Sequence, residues 1–109
     1  MADPPIVSFD ARYLDWVLNG TKTRTTRYGE SLALGPARFR FESDPPVFVA
    51  AVVTGLRTVP LGDLSDDDAA AENFAGAAEL RAALAFHYPR LPDDATVTIA
   101  EFTVDRPER

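Results

Sequence analysis

The sequence predicts an α+β fold: a small, mostly antiparallel β-barrel with about three flanking helices. Three observations lead there. The chain has 109 residues, enough for one hydrophobic core and too few for two, so a single domain over 1–109 with its core at about 6–104 is expected. Five or six segments have strand character and three have helical periodicity. The two kinds do not alternate as βαβ units, which argues against a doubly wound parallel sheet.

Each element has its own warrant. Ile6-Val7-Ser8-Phe9 is a short apolar strand, and Asp10 after it has the chemistry of a helix N-cap. Tyr13, Leu14, Val17 and Leu18 recur at helical spacing, with Trp16 beside them, and Gly20 suits the left-handed position that ends a helix. Thr21 to Tyr28 is β-branched and polar without apolar alternation, which suits a strand or loop lining a polar cleft better than a core strand. Gly29 to Pro36 reads as a loop. Ala37 to Glu42 alternates, with Arg38 and Arg40 on one face and Phe39 and Phe41 on the other. Asp44-Pro45-Pro46 breaks that strand. Val47 to Val53 is nearly continuous in apolar residues, the pattern of a strand buried on both sides, and it continues past Gly55 to Val59. Ser65-Asp66-Asp67-Asp68 opens a helix that frays near Asn73, with Ser65 as cap and carboxylates in the first turn. Gly76 to Tyr88 is another helix, with Leu80, Leu84 and Tyr88 on one stripe, stopped by Pro89 and Pro92. Thr96 to Asp105 is the last strand, and Arg106 to Arg109 reads as a loose tail.

Composition narrows the function. Hydrophobic residues make up 46% and charged residues 26%, as in folded globular proteins. No apolar run approaches the ~20 residues of a membrane span. Met1 to Pro5 has neither a basic nor an apolar segment of the secretory kind, so a cytoplasmic location is expected. There is no cysteine and one histidine, His87, which removes thiolate chemistry and argues against a metal centre; no cofactor is expected. Residues 1–60 balance to a charge of +1 and residues 61–109 to −7. A chain of pI near 4.6 is poorly suited to charge-driven binding of long nucleic acid, although Lys22, Arg24 and Arg27 lie within six positions of one another.

Lys22 is the only lysine, against ten arginines. Lysine can lose its proton and act as a base, which arginine cannot, but a lone lysine also suits a polar turn. Thr23, Thr25 and Thr26 beside it can each be a nucleophile if a base takes the hydroxyl proton, or an ordinary strand residue. Arg27 can clamp a carbonyl, carboxylate or phosphate oxygen. Glu72, before Asn73, can be a general acid or base or a solvated helix-end carboxylate. His87 suits the surface at a helix C-terminus, Asp66 to Asp68 suit a charged helix start better than a metal site, and Tyr13 and Trp16 suit the core or a pocket wall.

Taken together, Leu18-Asn19-Gly20-Thr21-Lys22-Thr23-Arg24-Thr25-Thr26-Arg27 resembles the signature of the ASCH-domain family, which runs apolar, x, Gly, x, Lys, Thr, x, Thr, x, Arg. Val59 to Ser65, Ala71-Glu72-Asn73, Glu79-Leu80, Tyr88-Pro89 and Val97 to Phe102 follow in the same order, so the resemblance spans about residues 6–104. It implies a PUA-like barrel. One group of small bacterial ASCH proteins of this length hydrolyses N4-acetylcytidine to cytidine and acetate. The resemblance carries that group's lysine base onto Lys22, its threonine nucleophile onto Thr25 and its glutamate proton donor onto Glu72. Arg27, Arg24 and Asn73 are expected to bind substrate. Arg24 and Thr26 stand where that group usually has apolar residues, and Gly35-Pro36 stands for its usual Gly-Asp. The family also includes RNA-binding modules and ribonucleases. A nucleoside or nucleotide, or single-stranded RNA, is therefore the expected partner.

Overall fold

The computed structural model describes residues 3–105; the predicted loose tail lies outside them. Five strands form one sheet: β1 (Ile6–Asp10), β2 (Arg24–Arg27), β3 (Gly35–Glu42), β4 (Val47–Pro60) and β5 (Thr96–Val104), in the order β1-β3-β4-β5-β2. The β1–β3 pair is parallel and the other three pairs are antiparallel. Three helices accompany it: α1 (Leu14–Leu18), α2 (Asp66–Ala70) and α3 (Ala77–His87), with single 3-10 turns at Ala11–Tyr13 and Leu61–Asp63. The α+β expectation holds.

The sheet is curled into a half-barrel. In a flat sheet β1 and β2, at opposite edges, would stand four strand spacings or about 19 Å apart. The Arg27 guanidinium instead lies 4.5 Å from the Phe9 ring centroid, so a β2 side chain touches a β1 side chain. Among the described residues the two edges do not hydrogen-bond as strands, and the barrel stays open between them.

Inside the curl, Phe9, Phe39, Phe41, Val49, Ala51, Val53, Ala100 and Phe102 pack as one core, with α1 over it through Val17. A second core lies under α2 and α3: Leu61, Leu64, Ala69, Leu80, Leu84, Val97 and Ile99. Strand β5 serves both. Its Val97 and Ile99 face the helices, whereas Ala100 and Phe102 face the inside of the curl. The start of α2 follows the sequence: Ser65 Oγ accepts from Asp68 N at 3.1 Å, and Asp68 Oδ2 accepts from Ser65 N at 2.9 Å.

Two expectations need correction. The strand that follows the Gly29 loop begins at Gly35, two residues earlier than Ala37. The apolar run Val47 to Val53 is not buried on both sides. Val49, Ala51 and Val53 are buried, but Val47, Phe48 and Val52 are exposed. The helices cover other parts of the sheet, and Arg38 stacks its guanidinium 4.1 Å above Phe48, covering by cation–π contact what a helix would otherwise cover.

Candidate functional site

The open seam of the half-barrel is where the site forms. A cleft of about 200 Å³ lies between β2 and the β1–α1 connection, with α3 as its third wall. Phe9, Asp10 and Tyr13 line one side, Lys22, Thr25, Thr26, Arg27 and Glu30 the second, and Leu80, Ala83, Leu84, His87 and Tyr88 the third, with Glu72 and Phe74 at the base.

Local structure explains how residues 50 apart in sequence meet. Helix α1 ends with Gly20 at φ 84°, a left-handed conformation that glycine adopts without steric cost. The chain then doubles back, and Lys22 N donates to Trp16 O at 2.9 Å. Lys22 thus precedes the regular strand, which begins at Arg24, and its side chain enters the same cleft as that of Thr25 despite their odd spacing. Thr23 N donates to Ala71 O at 2.8 Å, tying the neighbour of Lys22 to the neighbour of Glu72. After α2 the chain turns through Asn73 at φ 66°, a left-handed position that asparagine tolerates, and this turn carries the Glu72 side chain inward.

Lys22 and Glu72 are each only 3% exposed, and Lys22 Nζ donates to Glu72 Oε1 at 2.8 Å. Thr26 donates to the other carboxylate oxygen, Oε2, at 2.5 Å. Thr25 behaves differently: its Oγ1 accepts from Arg27 Nε at 2.9 Å, which leaves its own proton free to be donated elsewhere. Arg27 Nη1 donates to Glu30 Oε1 at 3.0 Å, and the Tyr88 hydroxyl donates to Glu30 Oε2. Tyr13 Oη and His87 Nε2 share a hydrogen bond of 2.8 Å, and Lys22 Nζ lies 4.9 Å from the Tyr13 ring centroid.

Burial holds Lys22 below its ordinary pKa. The Glu72 carboxylate opposes this by attracting the ammonium, and Arg27 adds to the lowering by repelling it; the net direction is down. Partial burial of its ring, which bonds Tyr13, likewise lowers His87, although the residue as a whole is exposed. Burial first, and then the Glu30 carboxylate, push the Tyr88 hydroxyl up to about 12, and burial raises Tyr13.

The lowered lysine has a consequence for stability. Between its folded pKa and the ordinary value of 10.5, the unfolded chain holds a proton at Lys22 that the folded chain has released. Stability therefore rises with pH across that window, and below it the buried charge is a standing cost. Because Lys22 is the sole lysine, no other lysine shares the window. Urea unfolding of the wild type and Lys22→Met from about pH 7 to about pH 10 should show the wild type gaining on the variant as pH rises. A constant difference would contradict the lowered pKa.

The structure brings Lys22, Thr25, Arg27 and Glu72 into one cleft. It does not bring Arg24 or Asn73 there. Arg24 lies on the β2 face that looks onto α2, where Asp68 and Glu101 each accept from it at 3.4 Å, so its charge is satisfied away from the cleft. Asn73 acts through its backbone, as the left-handed turn behind Glu72. Thr23 is exposed and donates to Ala71 O at 3.4 Å, which leaves Thr25 and Thr26 as the cleft's threonines. His87 is solvent-exposed as expected and also lines the cleft rim; the stripe Leu80, Leu84, Tyr88 already marked the helix face that it adjoins. Glu30 had no sequence signal, being a single carboxylate in a loop.

No family model matches the sequence, and no curated protein does. Solved structures do. The chain resembles an ASCH domain from Lactobacillus crispatus JV V101 at a TM-score of 0.69 and 18% identity, covering 83% of this chain and 68% of the other. It also resembles a protein of Enterococcus faecalis V583 described as DUF984, at a TM-score of 0.64 and 18% identity, covering 95% and 81%. At this identity the likeness shows the fold: the chain has the α+β, PUA-like fold of ASCH domains. That fold supports the ASCH-family assignment implied by the string from Gly20 to Arg27.

Proposed function

We propose that this protein hydrolyses the exocyclic amide of N4-acetylcytidine to cytidine and acetate. The observation that supports it best is the buried Lys22–Glu72 pair at 2.8 Å, set in a small cleft beside two threonine hydroxyls. One proton transfer along that contact turns an ammonium–carboxylate pair into a neutral amine and a carboxylic acid. A general base and a general acid are thereby produced together. The amine of Lys22 then takes the Thr25 proton as Thr25 Oγ1 bonds to the acetyl carbon. The carbon–nitrogen bond breaks, and Glu72 protonates the departing cytosine amine. Water adds to the acetyl-Thr25 ester and releases acetate, and the proton balance of the pair is restored. Arg27 holds Thr25 Oγ1 from behind, and Thr26 holds Glu72.

The two threonines separate under substitution. Thr25→Val should abolish cytidine release and Thr25→Ser should keep part of it. Thr26→Val removes only the hydrogen bond to Glu72 and should slow release by roughly tenfold, the loss of one hydrogen bond of ~1.5 kcal/mol to a charged group. Chromatographic assay of cytidine from N4-acetylcytidine, with thermal melts to check folding, measures all three. Full activity in Thr25→Val, with loss in Thr26→Val, would move the nucleophile to Thr26.

A further inference from the structure

The cleft's charges are already paired with one another. Its lysine and its arginine, Lys22 and Arg27, each have their own carboxylate: Glu72 on Lys22 and Glu30 on Arg27. A third carboxylate, Asp10, lines the same cleft and is paired with Arg12 at 3.1 Å. A site that takes a phosphate offers unpaired guanidinium or ammonium groups, or a helix N-terminus, and this one presents a carboxylate where such a group would be met. Glu30 is held in that position from two sides, by Arg27 on one oxygen and the Tyr88 hydroxyl on the other. It is partly exposed, its side chain 37% accessible, so it stands at the entrance, whereas Arg27 behind it is nearly covered at 10%.

We infer that Glu30 is a specificity-determining residue: it caps Arg27 and makes the cleft a site for uncharged ligands, admitting a nucleoside and rejecting its 5′-phosphate. An anionic ligand reaching for Arg27 meets the Glu30 carboxylate first and must displace it from both partners. A neutral ligand leaves the pair in place and meets no net repulsion. This inference rests on the nucleoside-hydrolase reading for its ligand and extends it, since it concerns which chemical form of the nucleoside enters.

The test uses the full chain and two ligands, cytidine and cytidine 5′-monophosphate, with binding measured by calorimetry. The wild type should bind cytidine at least about tenfold more tightly than the monophosphate, the scale of one unfavourable charge contact. Glu30→Gln, and Glu30→Ala as a second variant, should close that gap by raising affinity for the monophosphate. The gained affinity should fall with added salt and vanish when Arg27→Gln is combined with Glu30→Gln. Equal affinities in the wild type, an unchanged ratio in both variants, or no cytidine binding at millimolar concentration would each overturn the inference. Acetate release from N4-acetylcytidine and from its 5′-monophosphate separates this from the hydrolase reading. Charge discrimination without any acetate release keeps the Glu30 role and removes the reaction. Equal kcat/KM on both compounds keeps the reaction and removes the Glu30 role.

Discussion

Lys22→Arg is expected to lower cytidine release by about 10²–10⁴-fold, the contribution of a positioned general base. Arginine keeps the positive charge beside Glu72 but does not deprotonate in proteins, so the proton exchange at the 2.8 Å contact can no longer produce a base. Cytidine affinity should stay within a few-fold, because the other residues that line the cleft are unchanged. A non-catalytic RNA-binding module would tolerate the same substitution with little change, since a phosphate contact needs charge more than a titrating group. The measurement is turnover of N4-acetylcytidine beside calorimetric cytidine binding, with melts to check folding and Lys22→Met as the variant that removes both charge and base. Near-wild-type turnover in Lys22→Arg would end the proposed mechanism.

The second large effect is on stability. Glu72→Leu should cost about 3–5 kcal/mol, because it leaves the Lys22 ammonium buried at 3% exposure without its counter-charge. Against a total of about 5–15 kcal/mol for a domain, that is a large share. The combined Lys22→Met and Glu72→Leu variant should recover most of it, since no charge then remains to be buried. The part not recovered belongs to the Thr26 hydroxyl, which has lost its acceptor. Urea unfolding of the wild type, both single variants and the double variant closes the cycle. If Glu72→Leu alone matched the wild type, Lys22 would have to be neutral or hydrated in the folded protein.

Local chemistry carried much of this into the sequence. Ser65 with three aspartates announced a helix start, Gly20 announced a helix end, and the alternation of Ala37 to Glu42 showed which of its side chains turn inward. Lys22 and Thr25, at odd spacing, reach one cleft because Lys22 lies on the turn before the strand. What was hidden depended on partners distant in the chain. Val47 to Val53 looks buried on both sides because apolar content says nothing about whether a helix arrives to cover the second face. Arg24 looks like a cleft residue until Asp68 and Glu101 are seen to hold it elsewhere. The parallel β1–β3 pairing has no local signature, since strand direction is set by the path of the chain between strands. Glu30 was invisible for a similar reason: its meaning comes from Arg27 and Tyr88, and Tyr88 lies 58 residues away.

Strand β5 belongs to both cores, with Val97 and Ile99 on one side of it and Ala100 and Phe102 on the other. Neither core can melt alone without stripping one flank of the strand that the other needs. The molecule should therefore unfold in a single all-or-none step, with amide protons on β5 among the slowest to exchange and the same free energy reported from either flank. Thr25 and Thr26 pair with Ala100 and Ile99, the two residues at which β5 changes sides. The two cleft hydroxyls are thus mounted against the strand that both cores share. Loss of their alignment should coincide with global unfolding and should not precede it as a local loosening.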